Sequence, residues 1–312
     1  MNTTPPLPSA LGIAAVERDT GIAKDTLRVW ERRYGFPAPI RDENGERVYP
    51  PEQVDKLRLI RRLLDQGRRP SRIIAASAAE LSVMLEGSLA EEGRHAPPEH
   101  WNELLAALRH QDGVAVHSAL QQLLLKQGLQ QFVTRSLAPL ADAVGQAWLR
   151  GELGVSGEHL FTEQVQNVVR AAIGARSAGG APRILLTTPP NELHALGLLM
   201  AEAMLAPEGV HCISLGTQTP VPDILAAALA GRVDIVALSF SAAYPARQAM
   251  DVLHALRAAL PPPVSLWAGG TAVREHQRKL PEIRVIANLE DCLTALAEWR
   301  AASSPPATHA PR

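Results

Sequence analysis

Residues 189–205, "PPNELHALGLLMAEAML", pass from a turn into an amphipathic helix, and His194 stands where one becomes the other. Glu192 precedes it by two residues and Gly197 follows it by three. An imidazole at a helix start is either a residue of no consequence or a ligand, and the elements around it decide which. Ser239 and Ser241 close a later apolar run, and Gly269 and Gly270 close the next.

Five short apolar runs, "RILLTT", "HCISLG", "VDIVALSFS", "VSLWAGG" and "IRVIA", are each followed by a helical stretch between residues 183 and 301. Such βα repetition predicts a parallel, doubly wound α/β (flavodoxin-like) sheet with buried strands. Ligands of these sheets sit outside the carboxyl ends of the strands, where strand order reverses, here between the first and third strands. His194 follows strand one, Ser239 and Ser241 end strand three, and Gly269 and Gly270 end strand four, so all converge on one rim. No G-x-G-x-x-G turn follows strand one, and no G-x-S-x-G elbow occurs. Thr187, Thr188 and Ser239 stand where a phosphate-accepting receiver needs aspartates. An imidazole beside hydroxyls and glycine-made space suits a metal-bearing or bulky planar ligand.

The chain has 46% apolar and 20% charged residues and a net charge of -1, an ordinary globular balance that points to no polyanionic partner by itself. Cys212 and Cys292 form neither a disulfide framework nor a zinc spacing. The sequence shows no signal-peptide pattern and no apolar run approaching a membrane span. The expectation is a soluble cytoplasmic protein.

Breaks at 86–100 and 175–183 divide the chain. The expected organisation is a winged helix-turn-helix at 9–82, a linker at 83–97, a four-helix bundle at 98–176, the α/β domain at 177–301 and a disordered tail at 302–312. In the first part, "LGIAAVERDTG" and "AKDTLRVWERRYG" read as two helices joined at Gly21. Asn44-Gly45 then marks a hairpin, and "PEQVDKLRLIRRLLDQG" a capped helix ending at Gly67. Arg28 and Arg32 lie four apart on one helical face, able to enter a major groove together. Lys24 and Arg33 lie elsewhere, suited to phosphate, and Arg41, Arg47 and Tyr49 flank the wing turn for backbone or minor-groove contact. Arg61, Arg62, Arg68 and Arg69 are either a solvated face or an inter-subunit surface.

"AKDTLRVWERRYGFPAPIRDENGERVYPPEQVDKLRLI" resembles the recognition helix, wing and following helix of the MerR family of transcriptional regulators. "ELHALG" (192–197) is similar to the cobalamin-binding signature D/E-x-H-x-x-G. Ser239 and the Gly269-Gly270 pair follow in the order and at separations similar to that family's. Glu192 stands where Asp is commoner, and Ser241 where Leu is. The resemblance implies His194 as the lower axial cobalt ligand, with Glu192 holding the other ring nitrogen. It implies Ser239 hydrogen-bonding the displaced nucleotide tail, with Gly269 and Gly270 giving it room.

Trp148, nine residues, then Glu158-His159 resembles the W-x9-E-H pattern of light-sensing repressors of the CarH/LitR group, in which these residues cover the upper face and recognise an adenosyl group. Leu149 stands where that group often has histidine. The resemblance implies adenosylcobalamin (methylcobalamin as the alternative) fixing a dimer or tetramer on operator DNA in the dark, with release when light cleaves the cobalt–carbon bond. A second reading is a light-independent regulator that senses cobalamin or docks an antirepressor protein. A third is a cobalamin-dependent enzyme subunit; the winged helix and the lack of a substrate barrel argue against it. No membrane partner is expected.

Overall fold

The computed structural model describes residues 10–42, 45–65, 68–91, 101–149, 151–174, 180–242 and 244–303. The chain forms two compact units, residues 1–97 with 147–155 and residues 98–146 with 156–312.

Glycine in the left-handed region sets the helix ends of the first unit. Gly21 (φ 67) and Gly35 (φ 68) return their amides to the carbonyls of Glu17 and Glu31, ending α1 (Ile13–Thr20) and α2 (Lys24–Tyr34). Helix-turn-helix geometry follows, as the sequence predicts. One difference precedes it: Leu11 and Gly12 form a short strand, β1, rather than a first helical turn. β1 pairs antiparallel with β3 (Arg47–Tyr49), which also pairs with β2 (Ile40–Arg41), giving the order β1-β3-β2. Two residues carry no period, so pairing across 36 positions could not be read from sequence. The hairpin closes through the Asp42 amide on the Glu46 carbonyl (3.0 Å), with Gly45 at φ 78. Asn44 and Gly67 lie outside the described residues.

α3 (Pro51–Asp65), α4 (Pro70–Ile73) and α5 (Ala78–Glu91) complete the unit. Leu27, Trp30, Leu57 and Ile60 are among its core residues. α5 runs as far as Glu91 into the stretch 83–97 expected to be a linker. Ser77 and Glu80 form a reciprocal capping box: the Glu80 carboxylate accepts from the Ser77 amide (2.7 Å), and the Ser77 hydroxyl accepts from the Glu80 amide (3.2 Å). With that nucleus, the Ala- and Leu-bearing segment outweighs Gly87.

Between residues 101 and 174, α6 (Asn102–Arg109), α7 (Gly113–Gln127), α8 (Leu129–Phe132) leading into α9 (Ala138–Leu149), and α10 (Val155–Gly174) supply the four expected helical runs. The third run is interrupted by a π-helical stretch, Val133–Leu137, where the Ala138 amide reaches the Val133 carbonyl five residues back. Pro139 accounts for it. Proline cannot donate to the carbonyl four residues before it and its ring collides with that carbonyl, and one widened turn relieves the collision.

The sheet comprises β4 (Arg183–Thr187), β5 (His211–Gly216), β6 (Ile235–Ser239), β7 (Ser265–Gly269) and β8 (Arg284–Ile286), all parallel, in the order β5-β4-β6-β7-β8. This is the expected doubly wound order, with its switch point between β4 and β6. α11 (Leu196–Leu205), α12 (Val221–Ala230), α13 (Ala246–Ala259), α14 (Thr271–Arg274) and α15 (Asp291–Ser303) connect and cover the strands. β5 lies at an edge and is not buried throughout: its register slips between Leu186 and Thr187, and Leu215 is left exposed.

The rim fixes one glycine strictly. Gly270 holds φ 102, and a Cβ there would lie 2.0 Å from the Phe240 carbonyl oxygen. At Gly269 a Cβ would rest 3.6 Å from the Ile286 Cβ, an ordinary contact. Gly270→Ala should therefore cost roughly 3 kcal/mol or more, and Gly269→Ala under about 1 kcal/mol, in denaturant unfolding.

Candidate functional site

β4 ends at Thr187, and the chain leaves it through residues 188–195 before α11 begins. The Thr188 hydroxyl donates to the Glu192 carbonyl (2.7 Å) and accepts from the Gln218 amide (2.9 Å). The Thr187 hydroxyl bonds the Gly216 carbonyl (3.0 Å) and the Thr219 hydroxyl (2.7 Å). The loops after β4 and β5 are thus tied together, and Asn191 makes the turn at φ 69.

At the centre of the loop lies Glu192, its side chain 2% exposed. Oε1 accepts from the His194 amide (3.0 Å) and from His194 Nδ1 (2.7 Å). Oε2 accepts from the Ser241 amide and hydroxyl, both at 2.8 Å. Burial pushes the Glu192 pKa up, but the His194 ring and amide and then the Ser241 amide outweigh it and hold the carboxyl below its ordinary value. An ionised carboxylate only accepts, so Nδ1 carries the proton and Nε2 is the ring nitrogen able to ligate a metal. The ring itself stands out toward solvent, 45% exposed.

Ser241, a departure from the signature's leucine, meets the carboxylate that orients His194. Sequence reasoning placed it at the rim without that partner. It passed over Tyr244, buried with an edge-on contact to Phe240 at 5.4 Å. Burial, and then the Glu192 charge, push the Tyr244 hydroxyl pKa up. Gly197 packs on Ser239, where a Cβ would come within 2.9 Å of the serine Oγ. Ser239 pairs in register with Gly269, and the Phe240 amide bonds the Gly269 carbonyl (2.9 Å). Leu193 and Leu215, both exposed, add apolar surface at the carboxyl ends of β4 and β5.

At the start of α10, Glu158 Oε2 bonds His159 Nδ1 (2.7 Å) and Oε1 accepts from the Thr162 hydroxyl (3.0 Å). Glu158 and His159 share the second unit with His194, whereas Trp148 belongs to the first. The Leu149 side chain lies outside the described residues.

On the first unit, Lys24, Arg28, Arg32 and Arg33 are exposed along α2, opposite buried Leu27 and Trp30. Arg28 pairs with Asp25 (3.0 Å), Arg41 Nη1 donates to the Gly45 carbonyl, and Arg47 joins the wing to Glu31 of α2 (3.2 Å). Tyr49 corrects the sequence reading. It is 0% exposed, a residue of the first unit's core, with no hydrogen-bond partner for its hydroxyl among the described residues. On a three-residue strand, alternation alone did not reveal which face was inward. Arg61 donates to the Gly21 carbonyl (3.2 Å), bracing the turn between α1 and α2. Arg68 and Arg69 are exposed, and the Arg62 side chain lies outside the described residues.

Among the described residues, no cluster of three or more His, Cys, Asp or Glu could cage a bare metal ion. Burial pushes the Cys212 and Cys292 thiols up to about 12, so neither offers a thiolate near neutral pH. One oriented imidazole fits a metal that brings its remaining ligands in a macrocycle. No described helix is long and apolar enough to cross a membrane.

Three family models match the chain. Residues 11–79 match the MerR HTH family regulatory protein model, and residues 101–173 and 182–297 match two B12 binding domain models. The chain is 36% identical over 265 residues to the HTH-type transcriptional repressor CarH of Myxococcus xanthus, covering 82% of the chain and 87% of that relative.

The chain belongs to the MerR-type, B12-binding transcriptional repressors.

The repressor is also 34% identical over 274 residues to the HTH-type transcriptional repressor CarA of the same organism, covering 86% of the chain and 90% of the relative. A monomethylamine corrinoid protein from Methanosarcina barkeri shares its fold at TM-score 0.51 and 16% identity, over 65% of this chain and 99% of that one. The repressor thus joins a MerR-type DNA-binding unit to a helical bundle and a doubly wound B12-binding domain, and its curated relatives are regulators of transcription rather than enzymes.

Because the Glu192 pKa is lowered on folding, its contribution to stability is present above the ordinary value of 4.5 and is lost as pH falls through the folded value. Glu192→Gln keeps the shape but not the charge. Urea unfolding should find it about 2–3 kcal/mol less stable at pH 7, with the gap to the unsubstituted protein closing below about pH 4.5.

Proposed function

We propose that the repressor holds adenosylcobalamin at the rim through His194, binds operator DNA in the dark as a dimer or tetramer, and lets it go on illumination. The observation that carries this reading is the buried Glu192 carboxylate, engaged by His194 on one oxygen and by Ser241 on the other. Such a carboxylate fixes the tautomer and raises the basicity of the ligating nitrogen. When bound, adenosylcobalamin supplies a light-sensitive cobalt–carbon bond.

His194 Nε2 would meet the cobalt, Ser239 would bond the displaced nucleotide tail, and Gly197, Gly269 and Gly270 would keep its path open. Trp148, Glu158 and His159 would cover the upper face. Lys24, Arg28, Arg32, Arg33, Arg41 and Arg47 would meet DNA. The cofactor acts as a regulator only if its affinity differs between the DNA-holding and released states, which light abolishes by removing the adenosyl group from the bundle's reach. Paired half-sites suit a symmetric assembly working in the cytoplasm. Leu149 in place of histidine favours a second reading, a light-independent regulator that senses cobalamin (methylcobalamin included) or docks an antirepressor protein.

The test is reconstitution with adenosylcobalamin in the dark, followed by absorbance, mass and binding to a duplex selected from a random library, before and after green light. The expected result is one corrinoid per chain, with a fall in mass and release of DNA on illumination. His194→Ala should weaken corrinoid binding at least tenfold, and Glu192→Gln about 10–100-fold. Bound corrinoid with assembly and DNA binding unchanged by light would replace this reading with the light-independent one. Failure to retain any corrinoid would overturn the role given to His194.

A further inference from the structure

The exposed face of the recognition helix α2 carries a residue that neither packing nor charge explains. Helical geometry turns about 100° per residue, so the side opposite buried Leu27 and Trp30 is centred on Asp25 and Arg32. Arg28 lies about 50° to one side of that centre and Val29 about 50° to the other. Lys24 and Arg33 lie farther out, at the edges. Val29 is therefore placed as directly toward a docked groove as Arg28 is.

Val29 is 43% exposed, so the core gains little from it. A β-branched side chain is also a poor choice for an exposed helical position, where Lys, Glu, Gln or Ala would stabilise the helix more. Its exposed neighbours on the same face, Asp25, Arg32 and Arg33, are all charged. Asp25 is paired with Arg28 at 3.0 Å. The face thus offers Lys24 and Arg28 on one flank, and on the other the two methyl groups of Val29 with Arg33 beyond them at the edge.

On the floor of a major groove, the group that an aliphatic side chain recognises is the thymine 5-methyl. Phosphates and sugars recur at every step and give such a side chain nothing to discriminate. We infer that Val29 is a specificity-determining residue of this repressor: it reads a thymine methyl in each half-site, about one or two base steps from the pair that Arg28 contacts. The inference rests on DNA binding through α2. Val29 sets which sequence is chosen, while the surrounding arginines set affinity and its dependence on salt.

The test is selection from a random duplex library with the full-length protein, with and without adenosylcobalamin in the dark, followed by affinity measurements on the selected site. The expected consensus holds a thymine whose replacement by deoxyuridine, which lacks only the methyl, weakens binding roughly three- to tenfold. Val29→Ser should bind the thymine and deoxyuridine duplexes equally, whereas Val29→Thr, which keeps one methyl, should retain part of the preference. Binding of the deoxyuridine duplex by the variants at the affinity of the unsubstituted protein reports that the DNA-binding unit is intact. An enriched site whose thymines all tolerate deoxyuridine, or a Val29→Ser variant with unchanged preference, would overturn the inference and leave the repressor reading standing. No enriched sequence under either condition would overturn both.

Discussion

A carboxylate taken out of water must be surrounded by donors or it will not stay ionised, and Glu192 meets that demand with groups from two different loops. Its four donor atoms come from His194, two residues away, and from Ser241, beyond β6. The bonds do more than neutralise a cost. They join the exit of β4 to the exit of β6 across the switch point of the sheet, and they orient the imidazole. Thr187 and Thr188 extend the same clamp to the loop after β5. A ring so held can meet a large ligand without first giving up the entropy of a mobile loop.

The DNA-binding unit solves a different problem, holding a short helix rigid enough to read a groove. Its small core sits under α2, and polar contacts brace what the core does not reach. Arg61 supports the turn at Gly21, and Arg47 ties the wing to Glu31. The arginines of the outer face are not all equally available. Arg28 shares its charge with Asp25, and under the proposed function DNA would have to compete with that exposed pair, which is worth little in water.

Much of this was legible from residue patterns. The βα alternation fixed the sheet and its order, and with it the convergence of His194, Ser239 and Gly270, because parallel strands leave few topologies once length and handedness are satisfied. The helix end at Gly21 was equally readable, since it marks a local conformation that few other residues adopt. What escaped depended on contacts between distant residues. The bond between Ser241 and Glu192 spans 49 positions, and the pairing of β1 with β3 rests on two residues. The inward face of Tyr49 could not be deduced from a three-residue strand. The π-helical stretch was missed although Pro139 announced it, because hydrophobic period does not distinguish a widened turn from a regular one. α5 went unread for a simpler reason: the Ser77–Glu80 capping pair that opens it was in plain view but was not taken up.

Glu192 holds His194 as an Nδ1-protonated ring, and under the proposed function its other nitrogen takes the metal. Nitrogen NMR of protein labelled at histidine, recorded in the dark before and after addition of adenosylcobalamin, tests it most directly. One ring with a protonated Nδ1 is expected in both spectra, absent from His194→Ala, and its Nε2 resonance should shift strongly when the corrinoid binds. A bound corrinoid that leaves every histidine ring nitrogen unmoved, with its own base still on the cobalt, would show that His194 does not take the metal.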